Sequence, residues 1–391
     1  MNKHSPTESD LYAQLGVSSS KAGVQAALGL ERSTFFCPLQ ADCCGDPLYL
    51  SALHADGAGT KSIVAYLAFR ETGEPRWFRS LAQDSLIMNI DDLACVNALE
   101  NLTVCNTIGR NRRLIPDAAI QEIIAGYRET AAALTEDGIP VRLSGGETAD
   151  IGDLVRTLVV DSAVLGRVKK NEVISTDNIM PGDIIVGLSS TGQSRGEAAP
   201  NSGIGSNGLT LARHALLSKH YAASYPEALD SHCDSKNVYS GPFKLSDTPS
   251  ELGMSLASAL LSPTRSYAAL IKEVLAALGS ELHGAIHCTG GGQTKILKFG
   301  RGCCYLKDNL FPVPPLFALI QKTTALPWSE MYTVFNMGHR LELLLPERRL
   351  AAIQAIAAQH GIEARRIGSV IAAQSANQLI LKTPFGEFSY A

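Results

Sequence analysis

"HADGAGTKS" (residues 54–62) directly follows the apolar run "LYLSAL" and packs Asp56, Gly57, Gly59 and Lys61 into six positions. A short apolar run bounded by glycines reads as a buried strand, here over 47–53, that ends in a turn. A glycine turn at the carboxyl end of a strand, with a helical pattern further along, points to an α/β fold. The turn is not a P-loop, which needs Gly directly before the Lys and a four-residue spacer before that Gly. Its glycines still allow close backbone approach to a ligand, and it offers a carboxylate and an ammonium together.

Downstream, "LAQDSLIMNIDDLACVNAL" (81–99) sets Leu86, Ile90, Leu93 and Ala94 at helical spacing, with Asp91 and Asp92 on the flank of that stripe. Residues 116–137 carry the clearest helical pattern. Pro116 suits the first turn, Ile120, Ile123, Ile124, Tyr127, Ala131 and Leu134 share a face, and Gly138 and Pro140 stop it. The strand "PVRLS" then runs into a second predicted glycine turn, "GGETAD" (145–150), and 155–168 reads as a long strand.

The charged, Pro-Gly-containing stretch "KKNEVISTDNIMPGD" marks a linker, which predicts two domains, 1–170 and 171–391. The second half alternates in the same way, through strand "DIIVGLSS", a Gly/Ser/Asn stretch to 208, a helix from Leu209, strand "GAIHC" before "TGGG", strand "HRLELLLP", a helix over 347–359 and a strand around "RRIGSVI". Alternating strands and helices predict two α/β domains, with mixed sheets compatible with the pattern. Residues 220–250, rich in Ser, Asp, Tyr and Pro, read as a surface excursion.

Composition narrows the function. The 391 residues, 45% hydrophobic and 18% charged, suffice for two cored domains. A net charge of -4 without a basic stripe argues against nucleic acid and favours a small ligand. Nine cysteines without a Cys-x-x-Cys pair read as reduced, mostly buried thiols. The amino terminus lacks an apolar signal core and no apolar run reaches about 18 residues, so a cytoplasmic protein without a membrane partner is expected.

"GIGSNG" (203–208) matches the dinucleotide fingerprint only formally, because no strand immediately precedes it. A helix beginning at Leu209 would nevertheless present the amides of Ser206, Asn207 and Gly208 to a phosphate; a plain loop is the bland alternative. The acids Asp56, Asp91, Asp92, Glu147 and Asp150 are hard ligands of the kind magnesium takes, and lysine neutralises phosphate. Spacing alone also allows them to be scattered surface charges.

"DGAGTK", "NIDDL", "SGGETAD", "SNGLTLAR", "LSPTRSY", "HCTGGG" and "FNMG" resemble, in order and interval, the signature segments of aminoimidazole ribonucleotide synthetase, or phosphoribosylformylglycinamidine cyclo-ligase. The resemblance spans roughly residues 10 to 371. It implies an α/β subunit, a homodimer whose amino-terminal domains build a β-barrel, and a non-P-loop ATP site. The activity it implies is ATP-dependent ring closure of a small ribonucleotide. Around ATP and Mg2+ it would place Asp56, Gly57, Gly59, Thr60, Lys61, Asp92, Gly145, Gly146 and Glu147. Within that set Asp56, Asp92 and Glu147 would hold the metal and Lys61 would contact phosphate, its truncation sparing stability; a solvated turn with at most one surface ion pair is the bland reading of Asp56 and Lys61. On the substrate's ribose phosphate it would place Ser206, Asn207, Gly208, Thr264, Arg265, Thr289, Gly290, Gly291 and Gly292.

The sequence departs from the family where Gly205 replaces a His before "SNG", where Ala13 aligns with a Lys, and where "CVNALEN" replaces "QGAEP". Lys21 and His54 are candidates for the missing group. A related small-molecule kinase is the alternative enzyme, although Cys43-Cys44 beside Asp42 is poor chemistry for a selenophosphate synthetase. A non-catalytic ATP-binding regulator is the alternative from another class.

Overall fold

The computed structural model describes residues 11–17, 27, 34–373 and 376–391. Lys21 lies outside them. Two mixed sheets organise the chain. The first has the order β1-β2-β5-β3-β4, from β1 (Gln40–Ala41), β2 (Tyr49–Gly57), β3 (Glu100–Arg110), β4 (Val141–Asp150) and β5 (Leu158–Lys169). Only its β3–β4 pair is parallel. The second follows the order β12-β11-β8-β10-β6-β9-β7, from β6 (Asp183–Ser189), β7 (Gly284–His287), β8 (Cys303–Lys307), β9 (His339–Pro346), β10 (Ala364–Ala372), β11 (Gln378–Thr383) and β12 (Gly386–Tyr390).

The glycine stretches behave differently from the sequence reading. β2 continues through His54, Ala55 and Asp56 to Gly57 because its antiparallel ladder with β5 runs on to the pair Gly57 and Asp161. "GGETAD" is not a turn. It is the second half of β4, with Gly145 opposite Cys105 and Glu147 opposite Thr107, and a register shift just before Gly145.

Three helices of the first half position the buried acids: α1 (Lys61–Thr72), α2 (Ser80–Ala94) and α3 (Asp117–Glu136). The expected apolar face of α3 buries Ile120, Ile123, Tyr127, Ala131 and Leu134, leaving Ile124 on the surface. Gly126 lets α3 close on α2, since a Cβ there would lie 2.2 Å from the carbonyl oxygen of Arg79. In the second half α4 (Leu209–Leu216) follows the glycine-rich turn, and α5 spans Ala268–Leu278. α2 is buried on nearly all sides, wedged between the first sheet, α3 and α5. An all-round buried helix with three acids must find partners for them.

The other face of the first sheet has no helix over it among the described residues: Leu53 is 61% exposed, and Ala55, Cys105 and Val159 are exposed as well. β4 forms an edge with most of its residues in solvent.

Candidate functional site

α2 carries three buried carboxylates toward the second half of the chain, and each is claimed by a different segment. Asp84 and Asp91 are seven residues apart, nearly two helical turns, and so lie on one stripe, with Asp92 about 100° further round.

Asp84 faces Lys61, the first residue of α1, at 2.7 Å, and both side chains are fully buried. The same carboxylate oxygen accepts from the backbone N–H and hydroxyl of Thr264, at 2.9 and 2.6 Å. Lys61 also donates to the carbonyls of Gly205 (3.1 Å) and Ser262 (2.5 Å). Lys61 is therefore not in a solvated turn. All its donors are spent tying α1 to two loops of the second half, and burial pushes its pKa down against the pull of Asp84.

Asp91 accepts from the Ser266 hydroxyl and the Tyr267 N–H, each at 3.0 Å, and pairs with Arg340 at 3.2 Å. Burial raises its pKa while the His287 and Arg340 charges oppose the rise. Asp92 is held between two imidazoles: His287 Nδ1 at 2.6 Å and His54 Nε2 at 3.2 Å. Burial alone would raise Asp92, but the hydrogen bond from His287 and the neighbouring charges carry its pKa below the ordinary aspartate value.

The orientation of Asn89 adds a constraint. Its amide nitrogen is surrounded by the carbonyls of Asp56, Ser85 and Ser162 (3.1, 2.9 and 3.1 Å), so its oxygen faces His54 Nδ1 at 2.9 Å. Both nitrogens of His54 thus face acceptors, the Asn89 oxygen and Asp92.

The expected metal set does not close. Asp56 lies on the helix-covered face of the first sheet; its one side-chain bond among the described residues is from the Gly57 N–H at 2.7 Å, and burial raises its pKa. Asp92 has both oxygens on imidazoles. Glu147 belongs to the row Gly57, Asp161, Thr107, Glu147, on the opposite face of the sheet. It stands three strands from Asp56, about 14 Å at ordinary strand spacing. Gly145 and Gly146 share that exposed edge strand. Of the three, Asp56 alone both stands on the helix-covered face and keeps an oxygen to offer.

Two expected substrate contacts are likewise engaged inside the protein. Arg265 is 4% exposed; it pairs with Glu197 through Nε (3.0 Å) and Nη2 (2.5 Å) and donates to the carbonyls of Ser189, Thr191 and Gly192. Thr264 is fully buried on Asp84. "SPTR" is a buried clasp, because a loop that must bury a guanidinium uses up every donor it has.

The remaining residues converge. Thr60 and Thr210 touch through their hydroxyls at 2.9 Å, beside exposed Gly59, and Ser206 donates to the Ala58 carbonyl at 2.9 Å. "DGAGT" and "SNG" are thus neighbours. Asn207 is half-buried, and Gly208 adopts φ +73° with Phe335 where its Cβ would be, 2.4 Å away. Asn336 donates to the Gly203 carbonyl at 2.7 Å, so "FNMG" buttresses the glycine-rich turn. The "TGGG" turn comes just after His287 and Cys288: Thr289 is buried, Gly290 and Gly291 reach the surface, and Gly292 starts a 3-10 turn.

Sequence reasoning missed Asp84, His287 and Arg340. Asp84 was findable as the residue two turns before Asp91. A cation and an acid inside the apolar strand "HRLELLLP" were the signal for Arg340 and Glu342.

Two family profiles match the chain: "AIR synthase related protein, N-terminal domain" over residues 45–168 and "AIR synthase related protein, C-terminal domain" over residues 180–378. A phosphoribosylformylglycinamidine cyclo-ligase of Methanococcus vannielii is 30% identical over 326 residues, 82% of this chain and 78% of the relative. Its counterpart in Pyrococcus horikoshii is 29% identical over 381 residues, 92% and 95% of the two chains. Among solved structures, AaThiL complexed with AMPPCP and TMP aligns with a TM-score of 0.56 at 10% identity, covering 95% of this chain and 96% of that one. Thermotoga maritima PurL complexed with FGAR gives 0.52 at 16%, covering 95% of this chain and 49% of PurL, so the chain spans about half of PurL's length. At those identities the structures show a shared fold.

Proposed function

The chain belongs to the AIR synthase related family, and from that premise we propose that it is an ATP-dependent cyclo-ligase converting formylglycinamidine ribonucleotide to aminoimidazole ribonucleotide, ADP and phosphate. The observation that carries the reading is that relatives named for this reaction match more than four-fifths of the chain, across both family profiles. The meeting of "DGAGT", "SNG", "TGGG" and "FNMG" around the acids of α2 supports it.

In this reaction ATP phosphorylates the formyl amide oxygen, the amidine nitrogen attacks the activated carbon, and phosphate leaves as the ring closes. An amide oxygen is a poor leaving group, and its phosphate ester is a good one. The protein's work is positioning two polyanions and stabilising charge on the transferring phosphoryl group. ATP use draws support from neighbours of the same fold in complex with AMPPCP. A magnesium ion accompanying ATP would find Asp56 as the carboxylate with a free oxygen. The Asp56, Asp92 and Glu147 set does not surround one ion in this chain.

The homodimer belongs to the same reading. The uncovered face with Leu53 and Val159 and the open edge β4 are what a second copy would cover in a shared barrel.

The test is purified protein with ATP, magnesium and formylglycinamidine ribonucleotide, assayed for an aminoimidazole by diazo coupling. ATP hydrolysis should require the ribonucleotide. Stimulation by thiamine monophosphate or selenide instead, with no aminoimidazole formed, would overturn the reading.

A further inference from the structure

Arg340, the second residue of β9, is 2% exposed, yet much of its guanidinium is unspent. Nη2 serves Asp91 at 3.2 Å and the Arg265 carbonyl, and the group lies over the Tyr267 ring with Cζ 5.4 Å from its centroid. Nε and Nη1 have no hydrogen-bond partner among the described residues. Leaving charged donors unmatched in a buried place is costly. Asp91 does not use them: the Ser266 hydroxyl and the Tyr267 N–H serve its Oδ1, and Nη2 of Arg340 serves its Oδ2.

The free side of the guanidinium meets the glycine-rich turn. A Cβ on Gly205 would lie 3.1 Å from Nη1 and 3.3 Å from Cδ of Arg340, so the absence of a side chain at 205 lets the arginine reach this backbone. Gly205 sits at φ +63°, with its carbonyl turned to Lys61. The next three residues lead into α4, an eight-residue helix. Their amides and the N-terminal end of the helix dipole favour an anion.

We propose that Arg340, together with the Gly205–Gly208 turn, binds a phosphate-type oxyanion. A planar fork beside the amides of the turn suits a tetrahedral oxyanion better than a point charge does. Arg340 then supplies, from another strand, a cation beside the position where the family carries a His and this chain has Gly205. Assigning the oxyanion to the substrate's ribose phosphate or to the phosphoryl group from ATP rests on the function proposed above; binding itself does not.

The experiment compares the full chain with Arg340→Gln, which keeps polar contacts and loses the charge, and with Gly205→Ala, which keeps the arginine but crowds Nη1. Calorimetry and melting with inorganic phosphate and with ribose 5-phosphate read binding directly. Steady-state cyclisation reads KM for each substrate. Both variants should weaken oxyanion binding by on the order of tenfold or more, the scale of a charged hydrogen bond. A raised KM for the ribonucleotide assigns the site to the ribose phosphate, and a raised KM for ATP assigns it to the phosphoryl group. Folded variants whose phosphate affinities and KM values stay within about twofold of the parent would overturn the proposal. If Arg340→Gln does not fold, Gly205→Ala decides by the same criterion. A parent chain that binds phosphate through Arg340 but makes no aminoimidazole would refute the function and leave this site standing.

Discussion

Replacing Lys61 by Ala tests the geometry of the domain junction most directly. The ammonium holds three partners at 2.5 to 3.1 Å, and its carboxylate partner Asp84 is as buried as it is. Truncation leaves Asp84 charged, with only the Thr264 donors, and strips the Gly205 and Ser262 carbonyls of their shared donor. Breaking a buried pair by removing one partner costs about 3 to 5 kcal/mol. With a shift of about 2 to 4 °C per kcal/mol for domains of this size, melting should fall by roughly 6 to 20 °C. The assay is thermal and urea denaturation by circular dichroism of the parent, Lys61→Ala, Asp84→Leu and the double variant Lys61→Met/Asp84→Leu. The double variant should recover part of the loss, because it removes both charges together. A Lys61→Ala protein that melts within about 2 °C of the parent would refute the reasoning and return Lys61 to a solvated turn.

Other perturbations probe the same junction. Asp91→Asn should destabilise at least as much as Asp92→Asn by urea titration, because Asp91 alone joins α2 to Ser266, Tyr267 and Arg340; the reverse ranking would count against that bridge. Glu342, fully buried against Lys307 and His339, has its pKa moved from 4.5 to about 2, burial being outweighed by those neighbours. A depressed carboxylate contributes stability that is present above 4.5 and lost as pH falls through about 2. Glu342→Gln should therefore flatten the acid limb of the stability profile over that window, and an unchanged limb would exclude this origin. Gly208→Ala should cost about 1 to 3 kcal/mol, from its positive φ and the Phe335 ring 2.4 Å from the new methyl; unchanged melting would show that Phe335 moves aside freely. If the proposed dimer forms through the uncovered sheet face, the parent should scatter as a dimer and Leu53→Lys as a monomer; a monomeric parent would refute the dimer, and a dimeric variant would refute this face as its interface.

The periodic pattern determined much of the first half. The helical face of 116–137 and the long strand before 170 were legible because burial on one side imposes its period on the residues. The order of the motifs was legible too, and with it the kinship. Glycine misled where it lay in a ladder: "GGETAD" reads as a turn from propensity alone, but parallel pairing with β3 holds it extended. What no local pattern could supply was the choice of partners. Asp84 and Thr264 meet across 180 residues, Asp92 and His287 across 195, and Asp91 and Arg340 across 249. The sequence placed carboxylates on a helix and a lysine after a glycine turn, and could read them as a metal and phosphate site in solvent. Tertiary structure buried that helix between the first sheet and two other helices. Once water was excluded, each charge had to be answered by a group from the other half of the chain, which turned Lys61, Thr264 and Arg265 into ties between elements and left Arg340 with donors to spare.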